Sequence, residues 1–254
     1  MKLQCGHILP AKAIQERMLM LRLPFLCLIC LGHSAVLFAQ TVPDEVPASV
    51  KPGINDRFLD PALDVSEWLG RFEIESREVY AARERVLDVC AIKPGSTVAD
   101  IGAGTGFYSR LFADAVGEKG WVYSVDISAN FLQHINRQAA ENNVRNITGV
   151  LCSERSVCLP PNSVDLAFIC DTYHHFEYPE QTLASLRRAL KPGGRLVVID
   201  FNRIPGKSRE FLMGHVRAGR EVFQAEIVKA GFTFMEEVEV PAFEENYLLK
   251  FRKE

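Results

Sequence analysis

A glycine-rich segment is the part of the sequence best suited to hold a ligand. An apolar run ending at Asp100-Ile101 is followed by glycines at positions 102, 104 and 106. Glycine permits backbone conformations and close ligand approaches that a Cβ would obstruct. In a parallel α/β sheet, such a loop lies at the carboxyl edge of a strand, where ligands bind. The segment therefore predicts a site for a nucleotide-like cofactor.

The spacing of Gly102, Gly104 and Gly106 separates two cofactor classes. In a dinucleotide fingerprint, Gly-x-Gly-x-x-Gly, the third glycine would fall on Phe107. The observed Asp-x-Gly-x-Gly-x-Gly, beginning at Asp100, resembles motif I of class I S-adenosylmethionine-dependent methyltransferases. The resemblance implies that the glycine backbone faces the methionine part of S-adenosylmethionine and that Asp100 helps bind its amino group. A nicotinamide oxidoreductase is correspondingly disfavoured.

Further cofactor contacts are predicted beyond the glycine segment. Asp126 ends the next strand-like run, where a carboxylate accepts hydrogen bonds from both ribose hydroxyls, although an aspartate there also suits a helix N-cap. The family resemblance implies that Ile127 lines the adenine. It also implies that Ser153 or Glu154 contacts the adenine amino group, with an ordinary polar turn as the alternative.

The segment Asp-Thr-Tyr-His-His-Phe directly follows the fourth predicted strand. We therefore expect Asp171 at the cofactor rim, and Tyr173, His174 and His175 as candidate catalytic residues. Histidine titrates near neutral pH and serves as a general base or a metal ligand, but here it can also simply pack. His215 and Asp171 are possible partners for the pair in space. No His-x-x-x-His or cysteine-rich spacing is present, so the sequence predicts no metal site.

Apolar periodicity predicts alternating strands and helices behind a first helix over residues 73–92. The pattern is typical of a doubly wound α/β fold, with a seven-stranded, mainly parallel sheet and an antiparallel C-terminal hairpin. The predicted strands are 97–101, 121–126, 147–152, 164–170, 195–201, 232–240 and 245–251, and the predicted helices after the first are 107–116, 128–142, 179–190 and 208–230.

Two later segments strengthen the resemblance. Residues 163–171 and 190–200 resemble the fourth- and fifth-strand motifs of the same methyltransferases, including a Lys-Pro-Gly-Gly turn. The resemblance extends over roughly residues 75–251 and implies direct methyl transfer from S-adenosylmethionine to a small-molecule acceptor. The alternative is a non-catalytic domain that binds a nucleoside or a partner on the same fold.

The first 65 residues differ in composition from the rest. Basic residues precede an uncharged apolar run over 23–39, which resembles a signal peptide or membrane leader, and residues 40–65 read as a linker before a domain over 66–254. We expect export or membrane tethering, or a cytoplasmic protein if the start codon is misassigned. With 29 basic and 32 acidic residues, the net charge of -3 disfavours nucleic acid as a partner.

Overall fold

A seven-stranded sheet lies at the centre of the computed structural model, which describes residues 47–254. The strand order is β3-β2-β1-β4-β5-β7-β6, in which β3, β2, β1, β4 and β5 run parallel while β7 is antiparallel to both β5 and β6. This confirms the predicted fold class. The strands are β1 Thr97–Ile101, β2 Trp121–Asp126, β3 Ile147–Leu151, β4 Val164–Cys170, β5 Leu190–Phe201, β6 Phe232–Glu237 and β7 Asn246–Lys253.

Helices cover both faces of the sheet, which explains why the central strands are continuous apolar runs. They are α1 Asp56–Leu59, α2 Val65–Phe72, α3 Glu78–Ala81, α4 Arg83–Cys90, α5 Phe107–Val116, α6 Ala129–Glu141, α7 Pro179–Ala189, α8 Glu210–His215 and α9 Arg220–Lys229. Over residues 47–254, no helix has the length and apolar character required to cross a membrane.

Two apolar clusters form the core, one on each face of the sheet. Phe112 of α5 and Val86 of α4 are fully buried in one cluster, and Leu186 of α7 and Phe223 of α9 are fully buried in the other. Burying a side chain of this size contributes about 1.5–3 kcal/mol to folding. The two layers hold the sheet in place and leave its carboxyl edge available for a site.

The first predicted helix, 73–92, is wrong as a single element. The chain leaves the helical conformation between α2 and α3, where Glu73 accepts hydrogen bonds from Thr105 Oγ1 and Arg110 at 2.7 Å each and Arg77 pairs with Asp171. These tertiary contacts override the helical periodicity of the sequence.

The predicted helix 208–230 is also interrupted. It divides into α8 and α9 around residues 216–219, where Val216 is buried in the core and Gly219 adopts an extended conformation as the N-cap of α9. The break lets α9 pack on the sheet while α8 takes a separate position beside the cavity described below.

Residues 47–65 are the described part of the segment predicted as a linker. In the structure they are bonded to the domain. Val50 N donates to Glu177 O at 2.9 Å, Asn55 Nδ2 donates to His175 O at 3.0 Å, and Asn130 Nδ2 donates to Leu63 O at 2.9 Å. These bonds hold the segment against the domain. The predicted leader, 1–39, and residues 40–46 lie outside the described part of the chain.

Candidate functional site

A cavity of about 740 Å³ lies at the carboxyl ends of β1, β2, β4 and β5. This volume falls within the range typical of small-molecule sites, about 300–1,000 Å³. Three groups of side chains and backbone line it: a glycine wall (Asp100, Gly102, Gly104, Asp126 and Ile127), a histidine wall (His174, His175 and His215) and an aromatic cluster (Phe58, Trp68, Phe72 and Phe131).

Gly102 turns the chain out of β1 at a φ of 73°. Its amide donates to Val125 O at 2.8 Å, which ties the turn to β2. A Cβ at this position would lie 2.2 Å from Thr172 Cγ2, far inside van der Waals contact. Only glycine therefore allows the loop to approach the end of β4 so closely.

Gly106 differs from its neighbours because it does not line this cavity. It begins α5 with a φ of 82°, and a Cβ there would lie 2.7 Å from Ile135 of α6. The structure thus gives Gly106 a steric role, to let α5 start close to α6, and its contact with the cofactor stays a prediction.

Asp126 connects the glycine loop to the start of α6. Its Oδ2 accepts from Gly104 N and its Oδ1 accepts from Ser128 N, both at 2.8 Å. Burial raises the pKa of this carboxyl to about 6, opposed by the two backbone hydrogen bonds. Asp126 thus supports the helix start while it also lines the cavity.

Asp100 is buried behind the loop. Its Oδ2 accepts from Ser109 Oγ at 2.6 Å, and Ser109 Oγ in turn accepts from Ser124 Oγ at 2.7 Å. Burial raises the pKa of Asp100 to about 7, which the Ser109 hydrogen bond opposes and the Asp126 charge reinforces. A cationic ligand in the cavity would favour the ionised form of both carboxyls.

The predicted adenine contacts also reach the cavity. Ile127, Ser153 and Glu154 line it, with Ser153 in a short turn closed by its amide donating to Ser156 O at 3.0 Å. Burial, followed by the nearby charge of Glu177, raises the pKa of Glu154. Both candidate positions for the adenine contact therefore lie on the wall of the cavity.

Asp171 lines the cavity but is held by protein groups. It adopts a φ of 49°, pairs with Arg77 through one carboxylate oxygen, and accepts from Asn246 Nδ2 at 2.7 Å through the other. Burial raises its pKa, and Arg77 opposes that rise. Asp171 therefore joins the end of β4 to the entry of α3 and to β7, in addition to facing the cavity.

His174 is oriented by a buried carboxylate that no motif in the sequence indicated. Its Nδ1 lies 2.7 Å from Asp200 Oδ1, and its backbone amide donates to Asp200 Oδ2 at 3.0 Å. Because a carboxylate accepts the Nδ1 proton, Nε2 carries the lone pair of the neutral ring. Asp200 lies near the end of β5, one strand over from Asp171, and that position was the signal available in the sequence.

His175 and His215 complete the histidine wall. The ring centroids are 5.0 Å apart for His174 and His215 and 5.1 Å apart for His175 and His215. Burial and the neighbouring His174 lower the pKa of His175 to about 2 and that of His215 to about 4. Both rings are therefore neutral near pH 7.

The prediction that Tyr173 is catalytic does not fit its position. The ring is fully buried against Phe223, outside the lining of the cavity, and its hydroxyl donates to Glu226 Oε2 at 2.9 Å. Burial, together with Glu226, raises the tyrosine pKa. Within the segment 173–175, the side chains point to different sides, so Tyr173 supports the core while the histidines face the cavity.

The aromatic cluster bridges the two walls. Phe58 lies 4.8 Å from Trp68 and 5.3 Å from His175, measured between ring centroids, and a Cβ on Gly104 would lie 3.3 Å from Phe72 Cε2. Nothing in the sequence indicated that Phe58 belongs to this cluster, because it falls in the stretch interpreted as a linker.

Comparison with known proteins shows a similarity to methyltransferases over the central part of the chain. Residues 99–198 match the family described as "Methyltransferase domain". The ubiquinone/menaquinone biosynthesis C-methyltransferase UbiE of Paraburkholderia phymatum is 33% identical over 113 residues, which are 44% of this chain and 46% of that protein. The chain thus matches less than half the length of this curated relative.

Solved structures give the same result over a longer part of the chain. An S-adenosylmethionine-dependent methyltransferase from Aquifex aeolicus is 27% identical, with a TM-score of 0.65, covering 74% of this chain and 98% of that one. Phosphoethanolamine N-methyltransferase 2 of Haemonchus contortus, solved with S-adenosylmethionine, is 18% identical with a TM-score of 0.65, covering 79% and 60%, and shows the shared fold. With its glycine wall and strand order, the chain is similar to class I S-adenosylmethionine-dependent methyltransferases, and residues 99–198 match a methyltransferase domain.

Proposed function

We propose that this protein transfers the methyl group of S-adenosylmethionine to a small-molecule acceptor. The observation that carries the proposal is that one cavity is lined by both the glycine wall and the histidine wall. In the reaction, an acceptor atom forms a bond to the methyl carbon while the bond from that carbon to sulfur breaks. S-adenosylhomocysteine leaves, and any proton on the acceptor atom is released.

Asp100, Asp126 and the glycine loop are the proposed cofactor contacts. Asp126 accepts from the ribose hydroxyls, Asp100 stabilises the cationic amino group, and Ile127 with Ser153 or Glu154 surrounds the adenine. Positioning supplies much of the rate in such a displacement, because alignment of the two reactants removes a large entropic cost. Where the acceptor carries a proton, His174, whose Nδ1 is paired with Asp200, is the proposed base through its Nε2.

We infer that the acceptor has an apolar or aromatic body with a polar group. The aromatic cluster offers ring faces for such a body, and the histidine wall offers nitrogen lone pairs for the polar group. The name of the Paraburkholderia relative, a C-methyltransferase of ubiquinone and menaquinone biosynthesis, is consistent with a ring acceptor.

Calorimetric titration of the full chain with S-adenosylmethionine, S-adenosylhomocysteine and NAD tests the cofactor assignment. We expect saturable binding of the first two and none of NAD. A transfer assay with radiolabelled methyl groups and a panel of phenols and quinols then tests catalysis. Cofactor binding without transfer to any acceptor would favour the non-catalytic alternative, and absence of binding would overturn the proposal.

A further inference from the structure

Three histidines from two separate parts of the chain converge at the cavity. His174 and His175 follow β4, and His215 ends α8, forty residues later. One nitrogen of each ring lies within 4.8 Å of one nitrogen of each of the other two. Imidazole is the side chain that divalent first-row metals bind most commonly in proteins.

The surroundings of the three rings favour metal ligation over simple packing. Asp200, itself fully buried, accepts a hydrogen bond from His174 Nδ1, which leaves Nε2 as the ligand atom. A carboxylate behind a ligating histidine sets its tautomer and raises its basicity as a ligand. Among the described residues, the buried Nδ1 of His175 has no hydrogen-bond partner. One of the three rings therefore has a buried nitrogen that no protein group bonds.

The geometry requires a modest closure of the three rings. Zinc–nitrogen bonds of about 2.0–2.1 Å place the ligands of a tetrahedral site roughly 3.3 Å apart. His215 ends a six-residue helix that buries only Leu212, and a small shift of that helix would bring its ring to ligand distance. Lys51 opposes binding, because its charge acts on both His175 and His215.

We propose that His174, His175 and His215 bind a divalent transition-metal ion, with zinc as the reference ion and a fourth position open to the cavity. Three protein ligands plus one open position is the arrangement of zinc sites that engage a substrate or water. The sequence predicted no metal site, because these histidines have no diagnostic spacing. The proposal does not depend on methyl transfer.

Zinc titration of the full chain by calorimetry, compared with the His215→Ala variant, tests the site. The chain has seven cysteines and three other histidines, so the informative quantity is the difference between variants. We expect His215→Ala to lose one zinc per chain. His134→Ala is the matched control, since His134 is a buried histidine of α6 outside the cavity, and it should retain the full stoichiometry.

Two further variants separate ligation from general damage to the fold. We expect Asp200→Asn to weaken zinc binding about 10–100-fold, as is typical for the partner of a ligating histidine. We expect Lys51→Met to strengthen it, which no unfolded variant would do. Cobalt binding gives a second readout, because the intense visible absorption of a tetrahedral cobalt complex should disappear in His215→Ala.

Equal zinc stoichiometry and affinity in the wild type and His215→Ala would overturn the proposal. Loss of the same zinc in His134→Ala would overturn it as well. Because zinc is added without cofactor or acceptor, these outcomes are distinct from a failure of the methyl-transfer proposal, which is measured by cofactor titration.

Discussion

The glycine wall and the histidine wall of the cavity differ in how far apart their residues lie in the chain. Residues 100–127 supply the entire glycine wall, through one strand, one helix and the next strand. The histidine wall joins residues 174, 175 and 215, with Asp200 behind them. Local sequence motifs can specify the first wall, whereas only the packing of distant elements assembles the second.

The strongest test of the glycine wall is Gly102→Ala. The added Cβ would lie 2.2 Å from Thr172 Cγ2, so we expect either loss of the native fold or a loss of cofactor affinity of about 100-fold or more. Calorimetry and thermal unfolding measure the two outcomes. Gly95→Ala is the matched control, because Gly95 has a φ of 83° and a Cβ added there would meet no atom within 4 Å. Similar behaviour of the two variants would contradict the steric role of Gly102.

The second test concerns the hydrogen bonds that Asp126 offers to a ribose. We expect Asp126→Ala to weaken S-adenosylmethionine binding about 10–100-fold, since a hydrogen bond to a charged group contributes about 1.5–3 kcal/mol. The domain should remain folded. Asp165→Ala removes a carboxylate bonded to Thr97 N and Lys191, outside the cavity, and should leave affinity unchanged. Unchanged affinity in Asp126→Ala would remove the ribose assignment.

The third test uses pH to examine Asp100. Because burial raises its pKa to about 7 and a cationic cofactor favours ionisation, we expect cofactor affinity to rise between about pH 5 and pH 8. The free energy of unfolding changes with pH in the opposite direction to cofactor affinity. The reason is that the folded free protein holds the Asp100 proton more tightly than the unfolded chain does. The free energy of unfolding attributable to this group therefore falls as pH rises from 3.8 to about 7.

Asp100→Asn separates these two effects. We expect the variant to bind S-adenosylmethionine more weakly at about pH 8 and to unfold at a higher temperature there than the wild type. At about pH 4, where the wild-type carboxyl is already protonated in the folded state, the difference in unfolding temperature should vanish. A stability difference that is independent of pH would show that Asp100 is not the titrating group.

The smallest effect is expected from Tyr173→Phe, which tests whether Tyr173 differs in role from the neighbouring histidines. Tyr173→Phe removes one hydrogen bond to Glu226, which retains bonds from Arg217 at 2.6 and 2.8 Å. We expect a loss of about 1 kcal/mol in the free energy of unfolding and no measurable change in cofactor affinity. Denaturant unfolding and calorimetry check both values. A large loss of activity with normal cofactor binding would restore Tyr173 as a catalytic candidate.

The sequence was sufficient to predict the sheet, its antiparallel end and the glycine wall. Helix α5 and strands β1, β2 and β4 have the predicted bounds, because strong apolar periodicity and glycine turns are local signals. Periodicity failed where a polar residue breaks a helix to make a tertiary contact, as Glu73 and Arg77 do. It also gave no sign that the stretch containing Phe58 packs beside the cavity.

Local patterns thus determined the elements, and with them the residues placed at the carboxyl edge of the sheet. Tertiary structure decided which of those residues act together: it turned Tyr173 into the core, set Asp200 behind His174 and brought His215 to the same cavity. The physical reason is that strand and helix periods depend on near neighbours. Contacts across forty residues depend on how whole layers pack.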